Sequence, residues 1–323
     1  MSRILTGIQS TGTPHLGNIL GAILPAIEMS NDKKNDSFFF IADLHSLTQI
    51  KNTETLKRNT YAVAATWLAF GLDPNKTVFY RQSDVTECTE LSWYLNCFYP
   101  YQRLKLAHSF KDKSERLEDV NAGLFVYPML MAADILLYDA NFVPVGRDQL
   151  QHLEMTRDVA SRINHKHADI LVIPQPLLKE ESKMVPGTDG EKMSKSRNNV
   201  IDVFQSEKEL KKVINKSIIT DDVPLELPKD PDNSTVYKLY KLIASSDQSK
   251  QMANKLRAGG YGWGHAKKEL SDLIIEKYKS PRDKFNYFMS NLNELDEILK
   301  EGSIKAKEVA QITLKRLKEK IGY

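Results

Sequence analysis

Two separated segments carry residue types suited to handling a phosphate. The first reads Gln9-Ser10-Thr11-Gly12-Thr13-Pro14-His15-Leu16-Gly17-Asn18. Gly12 and Gly17 let backbone approach a phosphate closely. His15 can donate to a phosphate oxygen, and a helix starting here would add unpaired N–H groups and a partial positive charge. The spacing from Gly12 to Gly17 is that of a P-loop. However, Asn18 stands where a P-loop has Lys, and Ile19 where it has Ser or Thr, so that reading fails. Taken alone, the loop is also consistent with an ordinary turn, or with a small nucleotidyltransferase, where T-G-x-x-H-x-G occurs as well. The second segment, Glu191-Lys192-Met193-Ser194-Lys195-Ser196, follows the turn Pro186-Gly187-Thr188-Asp189-Gly190. Two lysines on such a loop suit a leaving pyrophosphate, whose charge develops only in the reaction. A mobile loop can close on a nucleotide and reopen for product. An exposed polar loop is the plain alternative.

These segments need a scaffold. Apolar runs at 3–8, 38–43, 77–82, 142–145 and 169–173 read as strands, and FFFIAD at 38–43 has the continuous apolar character of a strand buried on both faces. Helical spacing at 19–29 and from about Thr53 to Phe70, the latter ending at Gly71, alternates with them. A further helix carries Trp93 and Tyr94. Such alternation predicts an α/β fold with a doubly wound, Rossmann-type parallel sheet, in which ligands bind at the carboxyl ends of the strands. The first loop follows the first strand and so falls at such an end. Beyond about Val203 strand-like runs become rare. Helical segments at 206–218, 234–245, 248–257, 264–279, 281–300 and 306–321 predict an α-helical second domain. The expected division is 1–203 for the sheet domain, completed by a C-terminal helix at about 291–323, and 204–290 for the helical one.

Asp134 lies in the apolar stretch Met129-Leu130-Met131-Ala132-Ala133-Asp134-Ile135-Leu136-Leu137-Tyr138. A carboxylate there needs a partner or suffers a large desolvation penalty. Either it joins a structural ion pair with Arg or Lys, or it accepts from a ligand. An indole N–H, a donor only, is a suitable ligand group. Met131 offers a polarizable contact to an aromatic ring, and Val143 and Val145 offer apolar walls.

Together the two segments resemble the HIGH and KMSKS signatures of class I aminoacyl-tRNA synthetases. His15-Leu16-Gly17-Asn18 carries Asn in place of the final His, and Lys192 to Ser196 matches KMSKS throughout. The stretch from Tyr127 to Tyr138, and Val143-Pro144-Val145-Gly146-Arg147-Asp148-Gln149-Leu150-Gln151-His152-Leu153-Glu154, resemble the tryptophanyl branch of that family. The resemblance runs from Ile4 to the C-terminus and is dense from 4 to 200. It implies ATP with Mg²⁺, L-tryptophan and tRNA(Trp) as reactants and partners, a homodimer, and a cytoplasmic location. It implies catalytic roles for His15, Asn18, Lys192 and Lys195. ATP would be bound by Gln9, Ser10, Thr11, Gly17, Asn18, Gly146, Arg147, Asp148, Val185, Lys192, Met193, Ser194, Lys195 and Ser196. Tryptophan would be bound by Asp134, Met131, Tyr127, His45, Gln149, Gly7, Val143 and Val145. Read from its residue type alone, His45 is equally a core histidine, and Lys111 and Lys113 are equally a solvated pair or triphosphate ligands. The chain departs from the family where Leu5 replaces a frequent aromatic wall, where Arg147 replaces a common Glu, and in KLAHSFK at 105–111.

Bulk properties narrow the alternatives. The 323 residues are 41% hydrophobic and 27% charged, which suits a soluble globular protein of two domains. No run approaches the ~20 apolar residues of a membrane helix, and the start lacks the apolar core of a secretory signal. A net charge of +3 does not by itself indicate nucleic acid. From Ser303 to Tyr323 six Lys or Arg stand against two Glu, the pattern of a solvated helix face. Cys88 and Cys97 have no companion Cys/His pair, so neither a zinc site nor a disulfide framework is expected. The competing readings are a tyrosyl enzyme, a small nucleotidyltransferase and a non-catalytic paralogue. A tyrosine site must serve a hydroxyl that both donates and accepts. The KMSKS loop and helical domain speak against the nucleotidyltransferase. Intact Lys192 and Lys195 speak against the paralogue.

Overall fold

The structure, a computed structural model, describes residues 1–107, 120–178 and 184–323. Among them, five parallel strands form one sheet: β1 (Ser2–Gln9), β2 (Asn35–Ala42), β3 (Thr77–Arg81), β4 (Phe142–Val145) and β5 (Gln175–Leu178), in the order β3-β2-β1-β4-β5. β1 and β2 pair along their full length, from Ser2 opposite Asn35 to Gln9 opposite Ala42. The order reverses between β1 and β4, and at that switch point the carboxyl ends of the strands leave a crevice.

Period-two alternation explains why helices cover both faces. Phe39 and Ile41 of β2 and Phe79 of β3 point to one side, into a core with Trp67 of the helix Thr53–Ala69. Leu5, Phe38, Phe40 and Tyr80 point to the other, into a core with the helices Glu87–Phe98, Ala122–Leu136 and Leu150–His167. The helix Thr53–Ala69 starts where Asn52 accepts the Thr55 N–H, and stops before Gly71, which takes φ +99° just beyond its end.

Two expectations need correction. Residues 169–173 are not a strand, and the fifth strand lies at Gln175–Leu178. Asn164 accepts from the N–H groups of both Ile170 and Leu171, so these apolar residues are buried in an irregular turn. The predicted helix 281–300 is instead divided at Asn291, between Lys279–Ser290 and Leu292–Ile321. The second piece runs unbroken through 301–305, absorbing the separate C-terminal helix.

From Glu207 to Ser290 every regular element is a helix: Glu207–Ser217, Thr235–Ile243, Ser246–Ala258, Trp263–Lys277 and Lys279–Ser290. Ser206 with Glu209, and Ser245 with Gln248, close capping boxes at two of the starts. The 30-residue helix Leu292–Ile321 returns to lie along β3. Gly302 makes this crossing feasible, because any Cβ there would collide with the Phe79 carbonyl. Arg81 of β3 and Tyr61 then hold Asp296 of the helix at 2.7 and 2.9 Å.

Candidate active site

The switch-point crevice is a cleft of about 1550 Å³. All eight residues assigned above to tryptophan line it: Gly7, His45, Tyr127, Met131, Asp134, Val143, Val145 and Gln149. So do Gln9, Asn18, Gly146, Arg147, Asp148 and Lys192 of the nucleotide set. Ser10, Thr11, His15, Gly17, Val185, Met193, Ser194, Lys195 and Ser196 do not. Ser10 is fully buried and its hydroxyl is given to Ser46. Val185 and Met193 belong to the core beneath the second loop. Lys111 and Lys113 lie outside the described residues.

At the deep end, Asp134 is 3% exposed, and its carboxylate meets neutral protein donors and one histidine. Gln82 Nε2 reaches both oxygens, at 2.8 and 2.9 Å, Cys88 Sγ reaches Oδ1 at 3.0 Å, and His45 Nε2 reaches Oδ2 at 2.8 Å. Among the described residues the one ionic partner of Asp134 is His45, and no Arg or Lys pairs with it. Burial, and then the neighbouring carboxylate, push the Cys88 thiol well above its usual range, leaving it an S–H donor. A carboxylate only accepts, so His45 donates through Nε2. The His45 ring meets Tyr127 edge-on, Tyr127 Oη lies 2.8 Å from His152 Nε2, and His152 Nδ1 lies 3.0 Å from Gln149 Oε1. The chain of contacts ends with Gln149 donating to Asp148 at 2.9 Å. Sequence reading missed Gln82, Cys88 and the role of His152. The position of Gln82 just after β3 was the available signal, since site residues gather at strand ends.

Phe40 is a further residue that sequence reading passed over. It faces Gly7 in the sheet register, lines the cleft, and stacks on Tyr80 with ring centroids 5.8 Å apart. A Cβ on Gly7 would fall 2.5 Å from its ring, so any larger residue there must displace Phe40. Leu5 lines the same wall. Leu5, which departs from the family's frequent aromatic, thus has an aromatic ring beside it on the adjacent strand.

At the other end the two signature loops meet. The Gly17 N–H points to Met193 Sδ at 3.2 Å, and the Leu16 N–H donates to the Ile201 carbonyl at 2.9 Å. The Lys195 side chain lies across Gly12, where a Cβ would come within 2.9 Å of Nζ, and Gly12 also needs its φ of +134°. His15 and Asn18 form a reciprocal cap: Asn18 N–H to His15 Nδ1 at 3.3 Å, His15 N–H to Asn18 Oδ1 at 3.1 Å. Since Nδ1 accepts, the neutral ring carries its proton on Nε2. Burial first, and then the Lys195 charge, lower the His15 pKa to about 4, consistent with a neutral ring. Burial lowers Lys195 to about 8, opposed by the Asp202 carboxylate. The chain after the cap opens into a π-helical turn, Ile19–Ile23, whose Gly21 and Ala22 line the cleft.

The second loop is held by a residue absent from its signature. Asn199 is 2% exposed; it accepts from the Ser194 N–H at 2.7 Å and donates to Asp189 at 2.7 Å and to the Lys192 carbonyl at 3.1 Å. Gly187 leaves room for its amide. Among the described residues, no group of three or more His, Cys, Asp or Glu is placed to hold a metal ion.

A doubly wound sheet with these two loops at one end of the crevice and a buried carboxylate at the other defines an enzyme of nucleotide-dependent group activation. The sequence comparisons agree: residues 1–279 match the family "tRNA synthetases class I (W and Y)", and the chain belongs to it. Within the family, the tryptophan–tRNA ligase of Fusobacterium nucleatum is 45% identical over 323 residues, covering 100% of this chain and 98% of the relative. That of Campylobacter jejuni is 44% identical, covering 99% of each. A crystal structure of the Campylobacter jejuni tryptophanyl-tRNA synthetase, complexed with ADP and tryptophan, superimposes with a TM-score of 0.95 at 44% identity, covering 99% of this chain and 100% of that one. The Mycoplasma pneumoniae enzyme superimposes with a TM-score of 0.81 at 28% identity, covering 100% of this chain and 98% of that one.

Proposed function

We propose that this chain activates L-tryptophan with ATP, releasing pyrophosphate, and transfers it to the 3′ end of tRNA(Trp). One observation carries the choice of amino acid: a buried acceptor-only carboxylate, Asp134, lines the apolar end of the cleft opposite the two phosphate-handling loops. Tryptophan would lie between Phe40, Met131, Val143 and Val145, with its indole N–H at Asp134 and its ammonium toward Gln149. Its carboxylate attacks the α-phosphorus in line. Little proton transfer is required, so positioning and electrostatics do most of the catalysis. The neutral His15 presents Nε2–H, and Asn18 lies beside it. Lys192 and Lys195 compensate charge on the leaving pyrophosphate. Mg²⁺ enters with ATP as part of the substrate, and Gly146 and Asp148 contact the adenosine part.

By the same reading, residues 1–203 with the C-terminal helix form the catalytic domain, and 204–290 bind the anticodon. Two copies of the chain pair in the cytoplasm. Tyr261 and Trp263 serve the fold of the second domain: Lys255 sits over the Tyr261 ring at 5.4 Å, and Trp263 donates to Asp221 at 2.7 Å. Among the described residues, no helix is long and apolar enough to cross a membrane.

The test is ATP–pyrophosphate exchange with each of the twenty amino acids in turn. Exchange with tryptophan alone is expected. Exchange with tyrosine would reassign the site within the family, and no exchange at all would leave a binding paralogue.

A further inference from the structure

We infer that Gln82, assisted by Cys88, is a positioning residue that fixes Asp134 in the orientation that reads the indole N–H; this rests on the tryptophan reading above. Gln82 is 1% exposed and sits just past β3. Its Oε1 accepts from the N–H groups of Leu44, at 3.1 Å, and His45, at 3.4 Å. Those two groups open the short helix Asp43–Ser46. They settle which way the amide faces, because oxygen must meet N–H and nitrogen must therefore meet the carboxylate. Gln82 Nε2 then lies nearly equidistant from Oδ1 and Oδ2, at 2.8 and 2.9 Å. A donor between both oxygens fixes the plane of the carboxylate. Cys88 at Oδ1 and His45 at Oδ2 hold one oxygen each against rotation about Cβ–Cγ.

Two consequences follow for specificity. The acceptor is set before the ligand arrives, so tryptophan binding bears no cost of ordering it. Gln82 and Cys88 are uncharged donors, so neither pairs with Asp134 as a cation, and an indole N–H meets an acceptor whose plane they hold. A ligand of the same shape without that N–H supplies no donor and is refused. Loosening the carboxylate therefore weakens discrimination at this one atom more than it weakens binding of the ring.

The experiment compares kcat/KM in pyrophosphate exchange for tryptophan and for β-(3-benzothienyl)alanine, an isostere with sulfur in place of the indole N–H. In Gln82→Met the ratio of the two is expected to fall about tenfold or more, chiefly through a raised KM for tryptophan, with kcat nearly kept. A merely structural role would lower both substrates together and leave the ratio unchanged, which would overturn the inference. Should Gln82→Met lose its folded circular-dichroism spectrum, the Cys88 pair decides. Cys88→Ser, which keeps a donor, is expected to hold the ratio, and Cys88→Ala to lower it by about threefold. Equal ratios in Cys88→Ala and wild type would then reject the inference. A wild-type enzyme that ignores tryptophan would refute the proposed function instead, so the two failures are distinct.

Discussion

The two ends of the cleft are built by different means. The apolar end is set on strands and a helix: Phe40 and Gly7 in register on β2 and β1, Val143 and Val145 on β4, Met131 and Asp134 on Ala122–Leu136. Its polar groups are buried and mutually bonded. The nucleotide end is made of two loops that meet where Gly17 reaches Met193, Leu16 bonds to Ile201 just beyond the second loop, and Lys195 lies over Gly12. Recognition of one ring system calls for groups held to fractions of an ångström, which regular elements provide. Pyrophosphate must form and leave, which calls for charges on segments that can part. Regular elements thus carry the residues of the apolar end, and loops carry those of the nucleotide end.

The difference predicts separable defects. The largest belongs to the loop end: Lys195→Ala is expected to lower kcat for pyrophosphate exchange by about 10²–10³-fold, the usual loss when a donor acting mainly in the transition state is removed. Tryptophan affinity, followed by equilibrium dialysis, should change less than about twofold, because uniform binding is untouched. Equal losses in affinity and rate would show that Lys195 holds the ground state and that the two ends are not independent.

Asp134→Ala should give the converse pattern. It removes the acceptor and leaves Gln82, Cys88 and His45 as buried donors without a partner. The KM for tryptophan should rise by about 10–100-fold, from a lost charged hydrogen bond of roughly 1.5–3 kcal/mol, while the KM for ATP stays nearly constant. Discrimination against phenylalanine, measured as the ratio of kcat/KM values, should relax in parallel. A variant that still refuses phenylalanine as strictly as wild type would remove Asp134 from its reading role.

The same division explains what was legible in the sequence. Both signature loops are contiguous strings, and the strands that position them are apolar runs of ordinary length, so fold class and loops could be read directly. Residues that act through distant partners could not. Gln82 and Cys88 meet Asp134 across 52 and 46 positions; the place of Gln82 at a strand end marks it as near the site but does not name its partner, and no local pattern marks Cys88. Asn199 follows the KMSKS string but bonds to Asp189 and Ser194 only once the loop is folded. In the fold, β5 was displaced in the reading because Pro174 and Pro176 disguise it: β5 is the edge strand, where proline's missing donor costs little. Gly302 falls in the gap between the helices expected at 281–300 and 306–321, yet the long helix runs through it, and glycine stands there because β3 leaves no room for a side chain.

Asn199→Ala probes the loop end without touching a charge. The Ser194 N–H, the Asp189 carboxylate and the Lys192 carbonyl would each lose a partner, and the lysines would no longer be held in one arrangement. About a tenfold loss in kcat/KM for ATP is expected, because the three lost bonds act on the lysines only through the loop, with the KM for tryptophan unchanged. A matching rise in both KM values would mean that the loops and the apolar end order together.

The smallest effect is expected from pH, and its sign follows from the two groups that meet at the loops. Lys195 has its pKa lowered to about 8, so the free enzyme keeps the ammonium below that value and loses it above. His15, lowered to about 4, stays neutral from there upward and imposes no limb near neutrality. The pH profile of kcat/KM for ATP reports groups of the free enzyme. It should be flat from about pH 6 to 7.5 and fall by a few-fold as pH rises through 8 to 9. In Lys195→Arg the guanidinium remains charged throughout this range. That variant starts from a lower rate, because its planar fork replaces a point charge, but its alkaline decline should be absent below pH 9. Tryptophan affinity, followed by equilibrium dialysis across the same pH range, should be indifferent to the substitution, since the apolar end holds none of these groups. An alkaline fall that persists in Lys195→Arg would assign the titration to another residue.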